Sequence, residues 1–211
     1  MSETPRILEL NPGHAFGLGQ QMAGDNQINR TMVDQYALAN VELQEYDVLL
    51  ITDFIDQEYL FTHKRKIEAF LEAGNIVIFC GHLFRQWLPG CSPFMPKQIR
   101  SHKDYYMVIN EPNGIFAGVE IEDMVYNKGV AGFFARGYHP APKEAEVQLT
   151  FEDGKPITYV DRHSTNGTIL VHAGRSLFQY SGQSKSTDRI GKQAWQWVVS
   201  ECHQLKGEKV Q

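Results

Sequence analysis

Two runs of consecutive apolar residues constrain this chain most: Val48-Leu49-Leu50-Ile51, set between Asp47 and Thr52, and Ile76-Val77-Ile78-Phe79-Cys80, which follows Asn75. Neither alternates polar with apolar, so neither suits a strand with one wet face. Both suit strands buried on two faces, as in a parallel sheet covered by helices. Between them, behind Asp56, the residues Leu60, Phe61, Ile67, Phe70 and Leu71 recur near the helical period, while Lys64, Arg65 and Glu68 supply the charged side. Gly74 stands where a helix C-cap is expected. Strand, helix and strand over about 34 residues make a βαβ unit.

The flanks extend this unit. Arg6 to Leu10 reads as a first strand stopped by Asn11-Pro12-Gly13. Residues 13 to 34 are rich in Gly, Gln and Asn and read as a long loop, with a helix expected from about Asn26 to Leu38. The segment Gly13 to Gly19 matches neither GxGxxG nor GxxxxGK[ST], so a phosphate loop is not expected; a loop that can act as a lid over 13–30 is. In the second half, strands are expected at Tyr105–Ile109, Val130–Phe134, Glu146–Phe151, Ile157–Asp161 and Thr168–His172. Asp153-Gly154 and Asn166-Gly167 are hairpin-turn dipeptides between the last three. Asp188 is placed to cap a closing helix with the stripe Ile190, Ala194, Trp197, Val198 and Leu205. Trp195 falls off that stripe and is the better candidate for a partner contact. Trp87, Phe133 and Phe134 are further candidates for an interface patch. The expectation is one α/β domain over 1–211: a flavodoxin-like three-layer sandwich with a mainly parallel central sheet and an antiparallel C-terminal extension.

Composition narrows the function classes. Lys plus Arg number 20 and Asp plus Glu 25, for a net charge of −5. That leaves no basic surplus to hold phosphate backbones, so nucleic acid is not an expected partner. No apolar run approaches the roughly 20 residues of a membrane helix, and no membrane association is expected. Met1 to Arg6 lacks a basic leader followed by an apolar core, so no secretory signal is read there. Cys80, Cys91 and Cys202 form no CxxC pair, which favours free thiols in a reducing cytoplasm. His102, His139 and His163 join no HxH, HExxH or carboxylate cluster, so neither a metal nor another cofactor is expected.

Open parallel sheets gather ligands outside the carboxyl ends of their strands. Asn11 and His14 follow the first strand, and Asp53 and Phe54 the second. Cys80, Gly81, His82 and Arg85 follow the third, and His172-Ala173-Gly174 the last. Of these, Asn11, His14, Asp53, Gly81, His82 and Arg85 are the candidate ligand-binding residues. Cys80 ends a buried strand ahead of Gly81 and an expected short helix, His82 to Leu88. A helix N-terminus there would lower the thiol pKa, and nearby amides could hold an oxyanion. His172 also ends a strand and is the natural base for such a thiol. The alternative for both is packing, since Cys is among the most buried residue types.

The pattern resembles the class I glutamine amidotransferase-like superfamily, particularly its trehalose-utilisation-type branch. The resemblance rests on Tyr46 to Asp53, on Ile67 to Gly74, on the elbow strand Asn75 to Cys80, on Asn113 to Val119, and on Gly154 to Val160 running on to Gly167–Gly174. It implies a Cys at the elbow, matched by Cys80, and a His after a late strand, matched by His172. It also implies a Glu two positions beyond that His, where this chain has Gly174. The family's elbow carries Gly two residues after the Cys, where His82 stands here. Its Gly-rich oxyanion segment is replaced by Asp53-Phe54-Ile55-Asp56. Three functions are therefore expected, in order. The first is a noncatalytic amidotransferase-like domain binding a small polar ligand or a protein partner. The second is a Cys-dependent hydrolase or amidotransferase with Cys80 as nucleophile, the Gly81 N–H as oxyanion donor and His172 as base. The third is a structural or assembly role through a homodimer surface.

Overall fold

The computed structural model describes residues 4–13 and 29–208. Its central feature is an eight-stranded sheet. Five strands run parallel: β1 (Arg6–Asn11), β2 (Asn29–Asp34), β3 (Val48–Ile51), β4 (Ile76–Cys80) and β12 (Thr168–His172), in the spatial order β2-β1-β3-β4-β12. That is the flavodoxin-like strand order. Beyond β12 the sheet turns antiparallel through β11 (Pro156–Asp161), β10 (Glu146–Phe151) and β6 (Met107–Ile109). The short pairs β5 (Met95–Pro96) with β9 (Gly137–Tyr138), and β7 (Tyr126–Asn127) with β8 (Val130–Ala131), lie outside this sheet. The mainly parallel α/β sandwich with its antiparallel extension is thus observed.

The two apolar runs behave as strands buried on both faces, and their alternation sorts the core into two layers. Leu49, Ile51, Val77 and Phe79 pack with Leu60, Ile67, Phe70 and Leu71 of α1 (Gln57–Thr62) and α2 (Lys64–Glu72). Val48, Leu50, Ile76, Ile78 and Cys80 pack on the opposite side with Ile190, Ala194 and Val198 of α4 (Asp188–Glu208). Asp56 caps α1 by accepting from the Tyr59 amide at 3.0 Å. Gly74 ends the helical stretch with φ 79°, the left-handed value that glycine adopts without a Cβ penalty. A polar cluster pins α4 to the start of β12. Glu201 receives two nitrogens of Arg162 at 2.7 and 2.8 Å and the Thr168 hydroxyl at 2.7 Å.

Several expectations are corrected. Residues 29–34 form edge strand β2 against β1, followed by a 3₁₀ helix at Gln35–Ala39, rather than the helix expected to reach Leu38. Pairing along all six residues of β1 outweighs local helix propensity in Asn29 to Asp34. The expected strand Val130–Phe134 shrinks to β8. The helix expected over His82–Leu88 is absent; the segment is instead held as an irregular loop by Gln57, whose side-chain oxygen accepts from the Phe84 amide (3.0 Å), the Arg85 amide (3.2 Å) and the Trp87 indole (3.3 Å) and whose nitrogen donates to the His82 carbonyl (2.7 Å). A short helix, α3 (Ile121–Val125), forms where none was expected. Asp188 sits inside the first turn of α4, and its carboxylate accepts the amides of Gln183 and Lys185. Trp87 is core, and Trp195 and Trp197 both lie partly buried against the α4-side core.

Candidate functional site

The loops after β3, β4 and β12 meet at the carboxyl edge of the sheet. After β3 come Thr52, Asp53 and Phe54; Phe54 holds φ 68°, a left-handed conformation costing about 1–2 kcal/mol for a residue with a Cβ. Strain of this kind collects at binding sites. After β4 comes Gly81, at φ 153°, where a Cβ would touch the Phe79 ring and crowd the Asp53 backbone. After β12 come Ala173, Gly174 and Arg175. A strap of residues 132–136 crosses above them, joined by an antiparallel bridge between Ala135 and Gly174. A Cβ on Gly174 would collide with the Phe134 carbonyl and approach the His172 Nε2 to 2.5 Å, so the strap seats as it does only over glycine.

Loops and strap enclose a cavity of about 640 Å³, a size typical of small-molecule sites. Phe54, Phe79, Phe84, Phe133 and Phe134 give it an aromatic wall, and Asp53, His82, Arg136 and Arg175 add polar groups. Phe54, Phe84 and Phe133 are 65%, 69% and 54% exposed. Three exposed rings at one mouth are an unusual burden for a water-facing surface. Arg175 Nε lies 3.4 Å from Asp53 Oδ2, and Arg136 Nε donates to the Gly132 carbonyl at 2.9 Å. The His82 ring stacks on Phe94 at 3.7 Å, and burial holds its pKa below the usual histidine value.

Cys80 and His172 are brought together, but not to this cavity. They are register partners on adjacent strands and share the α4-facing side of the sheet, both with no exposed surface. Burial pushes the Cys80 thiol up to about 12. Without the expected helix there is no dipole to offset that, and Cys80 ends a regular strand with the positive φ falling on Gly81 instead. The Gly81 N–H assigned to an oxyanion donates to the His172 carbonyl at 2.9 Å. Behind the His172 ring stands a hydroxyl rather than a carboxylate: Thr158 Oγ1, 2.7 Å from Nδ1. Nε2 is buried with no hydrogen-bond partner, and Phe134 packs edge-on at 5.3 Å. Burial, aided by the nearby His139 and His82, drives the His172 pKa down to about 3.

The six ligand-contact candidates divide. Asp53, Gly81 and His82 line the cavity. Arg85 turns away, onto Glu58 at 3.2 Å and the Phe61 ring at 4.1 Å. Asn11 accepts the Gly13 amide and stays within its own turn. His14 lies outside the described residues, as does most of the 13–30 loop. Sequence reasoning missed Arg175 and Arg136 as cavity residues. Arg175 was within reach, three residues past His172 and beyond a strand end; Arg136 arrives on a strap that no local signal places. His139 was also missed: buried, it sets Nδ1 2.9 Å from the Ser92 carbonyl and Nε2 3.0 Å from the Gly81 carbonyl, steadying the cavity floor. Among the described residues no cluster of three or more His, Cys, Asp or Glu could hold a metal, and no helix is long and apolar enough to cross a membrane.

No protein-family profile matches the chain. No curated protein matches it either. Solved structures do. A cytoplasmic protein of Salmonella typhimurium aligns with TM-score 0.60 at 12% identity, over 92% of this chain and 99% of that one. A candidate GMP synthase component from Thermoplasma acidophilum aligns with TM-score 0.63 at 9% identity, over the full length of both. The exo-β-1,4-mannosidase Op5Man5 of an Opitutaceae bacterium aligns with TM-score 0.51 at 13% identity, over 93% of this chain but 36% of the enzyme. At these identities the likeness establishes the fold alone: a mainly parallel α/β sandwich.

Proposed function

We propose that this chain is an amidotransferase-like binding domain that takes a small ligand with polar groups into the cavity at the carboxyl edge of its sheet, Cys80 and His172 serving as packing beneath the floor. One observation carries this reading: the loops build an aromatic-walled cavity of about 640 Å³, and neither Cys80 nor His172 lines it. Asp53 and Arg175 supply a paired acceptor and donor on its wall, and His82 a second polar contact. The trehalose-utilisation-type branch is our finer placement, supported by Gly174 in the position of that superfamily's catalytic Glu. Thermal-shift screening against sugars, nucleotides and amino acids tests the reading. At least one compound should raise Tm, and Asp53→Ala should abolish that rise. A flat screen contradicts it and favours assembly through a partner surface.

The Cys-dependent hydrolase is the second reading, favoured by the side-by-side register of Cys80 and His172. It requires the 132–136 strap to lift, since Phe134 covers the imidazole. It also requires an oxyanion donor other than the Gly81 amide.

A further inference from the structure

A second, smaller cavity of about 350 Å³ adjoins the first. The two share Phe133, Phe134 and Arg175 as common walls. Their chemistry differs: the first carries five phenylalanine rings on its wall, while the second adds Asn127, Gln179, Gln183, Lys185 and Thr187 to the two rings they share. We propose that they are two compartments of one site, and that its ligand joins a flat apolar ring, seated in the larger, to a phosphate or carboxylate group seated in the smaller. This rests on the larger cavity being the binding site, as read above.

Three features point to an oxyanion. Lys185 Nζ spends one proton on the Tyr126 carbonyl at 2.6 Å, and an ammonium carries three donors. Arg175, on the shared wall, meets Asp53 through Nε at 3.4 Å, and its guanidinium carries four further N–H donors. Thr187 lines the smaller compartment with its Oγ1 buried and without a hydrogen-bond partner. A buried hydroxyl left unpaired is costly, and an oxyanion would pair it. Asp123, the acid of that compartment, is already occupied by the Ser186 amide at 2.8 Å and the Ser186 hydroxyl at 2.6 Å. Those bonds hold its carboxyl below the usual range. Counting Arg136, Arg175 and Lys185 against Asp53 and Asp123 leaves one net positive charge along the joined cavities, on a chain whose net charge is −5.

Isothermal titration with phenethyl phosphate, phenylpropionate, phenethyl alcohol and inorganic phosphate tests this. Phenethyl phosphate or phenylpropionate should bind at least tenfold more tightly than both the alcohol and inorganic phosphate, and the tighter of the two names the anion. Lys185→Met should weaken the anionic probe at least fivefold and leave the alcohol unchanged. Raised salt should weaken the anionic probe alone in the wild-type protein, which keeps the test valid should the variant fold poorly. If the alcohol binds and neither anionic probe gains over it, the two-compartment inference is overturned while the larger cavity stands as a binding site. If neither the alcohol nor an anionic probe binds, the two-compartment inference is overturned, and the thermal-shift screen against sugars, nucleotides and amino acids decides separately whether the larger cavity is a binding site.

Discussion

The buried imidazole of His172 makes folding stability depend on pH in a way that can be worked out in advance. In the unfolded chain a histidine titrates near 6.5; in the fold His172 is pushed down to about 3 by burial and by the neighbouring His139 and His82. The folded state therefore binds fewer protons than the unfolded state between these values. Stability contributed by the neutral ring is complete above about pH 6.5 and is lost as pH falls toward 3. Integrating that difference from pH 7.5 to 5.5 gives a loss of about 1.4 kcal/mol from this one group. His139, whose pKa burial also lowers, adds loss of the same sign. Urea unfolding at the two pH values measures the sum, and the same pair of titrations on His172→Asn isolates the share of His172. The wild type should lose about 1.4 kcal/mol more than the variant over this interval. Equal losses in the two proteins, or an imidazole resonance of His172 titrating above pH 5, would refute the reasoning.

Two further substitutions probe the packing that shapes the site. Gly174→Ala should destabilise by about 1–3 kcal/mol, the usual cost of overpacking, because backbone of the strap stands where the methyl would go; a calorimetric Tm equal to wild type would show that the strap yields freely. Arg162→Met leaves the buried Glu201 carboxylate with only the Thr168 hydroxyl. It should cost about 2–3 kcal/mol, less than the ~3–5 of a fully buried pair because the guanidinium is a third exposed. Adding Glu201→Met should recover most of that loss in urea titrations.

The parts of this molecule written in local pattern were legible in the sequence. Val48–Ile51 and Ile76–Cys80 read as strands wet on neither side, and the hairpin dipeptides at 153–154 and 166–167 marked the antiparallel turns. Asp53, Gly81 and His82 followed from a general rule, that ligands collect where parallel strands end. What stayed hidden was set by long-range contact. Gln57, 25 to 30 residues away in sequence, donates to the His82 carbonyl and accepts from the Phe84 and Arg85 amides and the Trp87 indole, and the segment it anchors is an irregular loop that leaves no helix N-terminus beside Cys80. The strap carrying Phe134 and Arg136 lies in the long segment between β4 and β12, and nothing in its own sequence marks it as the roof of a cavity. A strand-ending cysteine reads the same from sequence whether its side chain faces a crevice or a helix. Here alternation along β4 sends Ile76, Ile78 and Cys80 together toward α4.

The central claim is that Cys80 is sealed beneath the cavity at the carboxyl edge of the sheet, and its alkylation rate tests this most directly. With the thiol pushed up to about 12, the thiolate fraction at pH 7.5 is about 3,000-fold below that of a free cysteine near 8.5, before burial adds its own barrier. Native protein treated with iodoacetamide and mapped by mass spectrometry should therefore show Cys80 modified at least a thousandfold more slowly than a free thiol, no faster than the equally buried Cys91. Modification of Cys80 at the rate of a free thiol, or well ahead of Cys91 and Cys202, would contradict the account and restore the nucleophile.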